Sequence, residues 1–227
     1  MRIKAILSFA VLVLALSISA NAQNYRNKEL SLISYNFTIS PNLRLPLNSQ
    51  AHLFPETKNK KADKIVALIK DRTWDVIKER LEAETGMYIL PLNSHGSSFK
   101  YDAYNFPNVP INRAIRVGSS RYYLRVDLNL SAAPTGREGG YGATNSSTDS
   151  EGVTPQVSIT VTTYSDKGVV PQHKFSTTLT AEKAWIINEN NLNGITNGKE
   201  YQKDDTSTIL GLVNLALNEI TSKFKTQ

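Results

Sequence analysis

The chain has 227 residues, a formal charge of +6 and no cysteine. That length suits one ordinary domain with its own core. The missing cysteines exclude a disulfide framework, thiolate catalysis and a cysteine zinc site. The positive excess is mild and scattered, with Lys58, Lys60 and Lys61 its one tight cluster, which is weaker and less focused than a nucleic-acid footprint.

Met1 to Lys4 is basic, Ala5 to Ala20 is apolar, and Ala20-Asn21-Ala22 is a small-x-small cleavage site. This is the pattern of a secretory signal peptide over residues 1–22, with Gln23 as the new N-terminus. The run is short for a bilayer span and no basic cluster stops it. The expected mature form, 23–227, is one α/β domain without a stable membrane span, periplasmic or extracellular. No cysteine follows the leader, so a lipobox is excluded. Loss of Arg2 and Lys4 lowers the charge from +6 by two, to +4.

Leu30 to Ile39 alternates, with Ile33, Tyr35, Phe37 and Ile39 on one face, and predicts a strand. Prolines 41, 46 and 55 predict an extended loop after it. A helix is predicted from about Lys60 to Glu84, its stripe formed by Ala62, Ile65, Val66, Ile69, Thr73, Val76 and Ile77 and its end capped by Gly86. Trp74 lies off that stripe and is expected to cover a loop. Met87 to Leu90 reads as a short strand. Pro110 can open a short helix through Ile115, ended by Gly118.

Arg121 to Leu130 alternates most cleanly and predicts the central strand, with Tyr122, Leu124, Val126, Leu128 and Leu130 facing the core. Residues 131–154 are rich in glycine and serine and are expected to be a flexible loop. Val157 to Tyr164 and Val169 to Thr180 predict a hairpin about Asp166-Lys167-Gly168, with Pro171 marking an edge. Ala181 to Tyr201 reads as an asparagine-rich surface excursion. The last helix is expected from about Thr206 to Phe224, with Asp204 or Asp205 at its N-cap. Together these elements predict an α+β two-layer sandwich: a mixed sheet of about five strands with two long helices on one face.

No catalytic constellation emerges. His95 sits among serines without a nucleophile elbow. His52, His95 and His173 lack metal-ligand spacing, and Asp204-Asp205 and Asp149-x-Glu151 lack the spacing of a calcium loop. No metal and no cofactor is expected. The polar face of the sheet is the candidate partner-binding surface: Arg121, Tyr123, Arg125, Thr160, Thr162, Tyr164 and Lys174, of which arginine and tyrosine are types enriched in interface hot spots. Its plain alternative is a solvated face laced with cross-strand pairs.

Three local features resemble the periplasmic domains of the CsgG-like group and the amino-terminal domain of TolB. They are ISYNFTI with the Ile65–Ile77 helix and MYIL, then INRAIRVGSSRYYLRVDL, then VSITVTTYSDKGVV before a strand and a helix. The resemblance implies an anticodon-binding-domain-like fold and a role as an envelope assembly or interaction module, not an enzyme. The expected partner is an envelope protein, with no nucleic acid; an oligomer is left open. The alternatives are a glycan-binding module using Tyr101, Tyr104 and Phe106 in the aromatic 99–106 segment, and a hydrolase built around His95.

Mass spectrometry of the exported protein is expected to find Gln23 as the first residue. An exported chain that keeps residues 1–22 would overturn the leader assignment.

Overall fold

The computed structural model describes residues 25–57, 62–92, 99–133, 152–198, 203 and 205–226. Five strands form one mixed sheet: β1 (Glu29–Ile39), β2 (Tyr88–Leu90), β3 (Tyr122–Ala132), β4 (Pro155–Ser165) and β5 (His173–Thr180). Their spatial order is β2-β1-β3-β4-β5. β1 runs parallel to β2 and β3, and β3, β4 and β5 are antiparallel in turn. The helices are α1 (Pro41–Ser49), α2 (Lys64–Thr85), α3 (Ile111–Val117) and α4 (Ile209–Lys225). The fold is the predicted α+β sandwich, with the long helices α2 and α4 packed together on one face.

β1 departs from simple alternation. Its register against β3 shifts between Leu32 and Ser34, a bulge that adds one residue. Leu30 and Leu32 before the bulge, and Tyr35 and Phe37 after it, all join the helix-side core. Ile33, expected beside Tyr35, lies instead in a second cluster with Leu92, Val109, Ala114, Tyr123 and Tyr164. The adjacent apolar pair Leu32-Ile33 is the sequence trace of that change of face.

α2 begins where Asp63 accepts the backbone N–H groups of Ile65 and Val66 at 2.9 and 3.2 Å. It ends at Gly86, whose φ of 71° is a left-handed conformation that glycine adopts without cost. Thr73 on α2 meets the buried Tyr35 hydroxyl at 2.7 Å. α4 lies against β4, β5 and α2. The alternating residues Leu124, Val126 and Leu128 are fully buried beneath this layer.

Three expectations need correction. The loop predicted from the prolines contains α1. Pro41 stands in the first turn, where its missing N–H is no loss, and the one bond forfeited at Pro46 is offset by burying Leu43 and Leu47 one turn apart. The asparagine-rich excursion is a surface segment only in part. Trp185, Ile187, Leu192 and Ile195 are core residues, and Trp185 pairs with Val153 through backbone bonds of 2.7 and 2.8 Å. Its asparagines cap turns: Asn188 accepts from Asn190 N–H, and the Asn191 amide donates to the Ser207 carbonyl. Finally, the N-cap of α4 is Thr208, which accepts the Gly211 N–H at 3.0 Å. A Cβ on Gly211 would stand 1.9 Å from the Asp205 carbonyl oxygen, so only glycine fits that approach. Asp204 and most of the 131–154 loop lie outside the described residues.

Each edge strand has a backbone group occupied by a helix side chain. The Ile89 N–H of β2 donates to the Glu82 carboxylate of α2 at 2.8 Å. Lys223 of α4 donates to the Ser176 carbonyl of β5 at 3.0 Å. Such capping blunts a sheet edge as a template for another strand.

Two neighbouring positions separate the faces. Val126 is fully buried, whereas the Arg125 side chain is 45% exposed. Val126→Asp would place an unpaired carboxylate under the helices and is expected to prevent folding. Arg125→Ser is expected to cost no more than about 1 kcal/mol. Circular dichroism melts check both; equal destabilisation would mean that the sheet is buried alike on both faces at this point.

Candidate functional site

The seven candidate partner residues do not form one surface. Arg121, Arg125 and Lys174 are exposed, and Thr160 is half-buried. Thr162, Tyr123 and Tyr164 are buried and cannot meet a partner. Tyr123 and Tyr164 are paired in register across β3 and β4, and α3 covers them. Tyr123 donates its hydroxyl to the Ala114 carbonyl at 3.1 Å. Gly118 permits this seat, since a Cβ there would lie 2.9 Å from the Tyr123 hydroxyl. The signal missed in the sequence is the apolar set Ile111, Ala114 and Ile115, which needs a surface to cover.

The other half of the outer face is open and bonded to itself. Arg125 grips Asp127 with three bonds of 2.8 to 3.1 Å, which push the guanidinium pKa up. The Asn36 amide donates to Asp127, and Thr38 to Asn129. Thr160 meets Ser176, and Ser158 meets Thr178, across β4 and β5. These are cross-strand pairs of a solvated sheet.

The aromatic 99–106 segment is held by a different device. Asp102 accepts the backbone N–H groups of Tyr104 and Phe106, both at 2.9 Å, and pairs with Lys70 of α2. The Lys70 ammonium is nearly buried, 5.4, 5.2 and 4.8 Å from the rings of Tyr35, Tyr104 and Phe106. A buried lysine is tolerable because a carboxylate and aromatic faces replace its water. Of the three aromatic residues proposed to stack on a glycan, Phe106 is buried and Tyr104 half-buried; only Tyr101 presents a ring, 53% exposed.

Between β2 and this segment lies an apolar pocket of about 200 Å³, lined by Leu32, Trp74, Ile89, Pro91, Tyr101 and Pro107. Trp74 therefore covers a loop, as expected. Tyr88 and Leu90, 53% and 38% exposed, stand on β2 beside it. On their other side opens a polar groove of about 510 Å³ that includes Lys28, Ser31, Tyr88, Leu90, Ser120 and Arg121. It continues through Lys28 and Tyr122 into a depression of about 360 Å³ bounded by Tyr25, Gln172 and His173. Tyr25 anchors this end, bonded to Thr163 at 2.7 Å, and burial pushes its phenol up to about 12.

His52 is exposed on a short turn, His173 lies edge-on to Tyr25 at 5.4 Å, and His95 lies outside the described residues. Among the described residues no group of three His, Cys, Asp or Glu could hold a metal, and no helix is long and apolar enough to cross a membrane.

No family model and no curated protein matches the chain. Solved structures with a similar path include a hypothetical protein from Chlamydia trachomatis, 7% identical, with TM-score 0.44 over 88% of this chain and 96% of that one. A neuraminyllactose-binding hemagglutinin homologue from Helicobacter pylori is 15% identical, with TM-score 0.33 over 88% of each chain. A Xanthomonas campestris protein of family DUF330 is 9% identical, with TM-score 0.31 over 89% of this chain and 86% of that one. The geometry of the site itself carries the functional reading.

Asp102 is the test of the pocket wall. Asp102→Ala strands the buried Lys70 ammonium and frees two backbone donors, so urea unfolding is expected to show a loss of about 3 kcal/mol. A loss below about 1 kcal/mol, the size of an exposed pair, would mean that water replaces the carboxylate.

Proposed function

We propose that the protein is a non-enzymatic interaction module of the bacterial envelope, periplasmic or secreted, that docks an envelope protein at the β2 end of its sheet. The observation that carries this is the apolar pocket beside Tyr88, Leu90 and Tyr101. Its volume of about 200 Å³ is below the usual 300 to 1,000 Å³ of small-molecule sites and suits one large side chain of a partner. Exposed aromatic and aliphatic residues around a concave anchor point, with Lys78 among its lining, are the anatomy of an interface core. The signal-peptide pattern supports an envelope location. The resemblance to CsgG-like and TolB amino-terminal domains supports an assembly role. The open half of the sheet supports docking less well, because its hydroxyls and amides already satisfy one another.

A photo-crosslinking residue in place of Tyr101 or Leu90 is expected to capture one protein from living cells, while one in place of Thr160 captures none. Capture from position 160 alone, or no protein adduct from any position, would overturn the proposal.

A further inference from the structure

Beside that apolar anchor, and sharing Leu90 and Pro91 with it, the polar groove carries a second inference. We propose that the groove between Lys28 and Arg121 binds an acidic saccharide bearing about one carboxylate per repeat. Four observations converge. Lys28 and Arg121 both line the groove, and neither has an ion-pair partner among the described residues, whereas Arg44, Lys70, Arg80 and Arg125 are each held by a carboxylate. The Lys28 ammonium is positioned 4.9 Å from the Tyr122 ring centroid and 5.6 Å from that of Tyr25. Ser119 and Ser120 line the groove beside the buried Ser31, and the bond between the Ser31 and Ser120 hydroxyls fixes its floor. Its wall is the half-exposed ring of Tyr88.

Size and charge select the ligand. The groove and its extension hold about 510 and 360 Å³, each within the range of small-ligand sites. Glu29 also lines the groove. Lys28 and Arg121 can each meet one sugar carboxylate, and with Glu29 beside them the groove is too weakly positive for the closely spaced phosphates of a nucleic acid. The Glu29 carboxylate can accept from sugar hydroxyls. An extended acidic peptide would seek the free backbone of β2, but Glu82 already occupies the Ile89 N–H. Hydroxyls, a tyrosine face and two fixed cations fit a sugar acid better.

Isothermal titration of the purified protein with trigalacturonate, one carboxylate per sugar, tests this. Saturable binding is expected, with neutral chitotriose at least about tenfold weaker, the scale of one charge-assisted hydrogen bond. Lys28→Ala with Arg121→Ala should weaken trigalacturonate by a further tenfold or more, as expected for two lost cations, without moving the thermal midpoint. Tyr101→Ala, which alters the apolar pocket alone, should bind as before, so that failure of the protein-docking proposal leaves this result readable. No saturation up to about 10 mM, or binding that survives the double substitution, would overturn the site. Penta-glutamate binding as tightly through the same two residues would reassign it to acidic peptides and overturn the saccharide.

Discussion

One extra residue in β1 decides on which face each later side chain of that strand lies. Without the bulge at Ile33, the five apolar side chains Leu30, Leu32, Tyr35, Phe37 and Ile39 would split between the two sides of the sheet. With it, the helix-side core receives Leu30, Leu32, Tyr35 and Phe37, while Ile33 is turned outward. An isolated isoleucine on a wet face would be unfavourable. It is covered because Val109 and Ala114 arrive there, fixed by the Val109 N–H donated to the Ile33 carbonyl at 3.0 Å. α3 is thereby seated, the Tyr123 and Tyr164 rings are buried, and the outer face is divided into a covered half and an open half.

How much of this could be read from the residues follows from range. β3 was legible because its alternation is undisturbed over its whole length, and every inward residue was placed correctly. The end of α2 was legible because Gly86 answers a local need for positive φ. α1 was not, because proline counts against a helix while Leu43 and Leu47 gain only through contacts with distant residues. The cover over Tyr123 was missed for the same reason: a tyrosine alternating with arginines looks solvated until a segment from elsewhere lands on it. The pocket and groove were the least legible. Arg121 was singled out, but for a mid-sheet face; Lys28, Tyr88, Leu90 and Trp74 reach the site from the segment before β1, from β2 and from α2, and no local pattern links them.

The surface chemistry also sorts by satisfaction. The open half of the sheet is a lattice of hydroxyl, amide and guanidinium groups bonded across strands, so a ligand there would exchange one set of hydrogen bonds for another with little net gain. The edges are blunted by Glu82 and Lys223. Among the described residues, exposed rings and unpaired cations stand together at the end of the sheet where the parallel strands β1 and β3 begin and β2 stops after three residues.

Lys70 and Lys28 make the distinction sharp. Both ammonium groups lie near tyrosine rings. Lys70 is nearly buried, and burial without Asp102 would cost several kcal/mol, so its pairing serves the fold. Lys28 is half-buried, keeps part of its hydration, and folds without a carboxylate. Its neighbours Tyr25 and Tyr122 nevertheless limit where its head can go, because Tyr25 is bonded to Thr163 and Tyr122 is fixed by the β1–β3 register. A cation held in place before its counter-ion arrives has less rotamer freedom to lose on binding, and that saving is worth about 0.5 to 1.5 kcal/mol for a side chain of this kind. A structural lysine closes its electrostatics inside the chain; Lys28 is instead positioned by two rings and left without a carboxylate among the described residues.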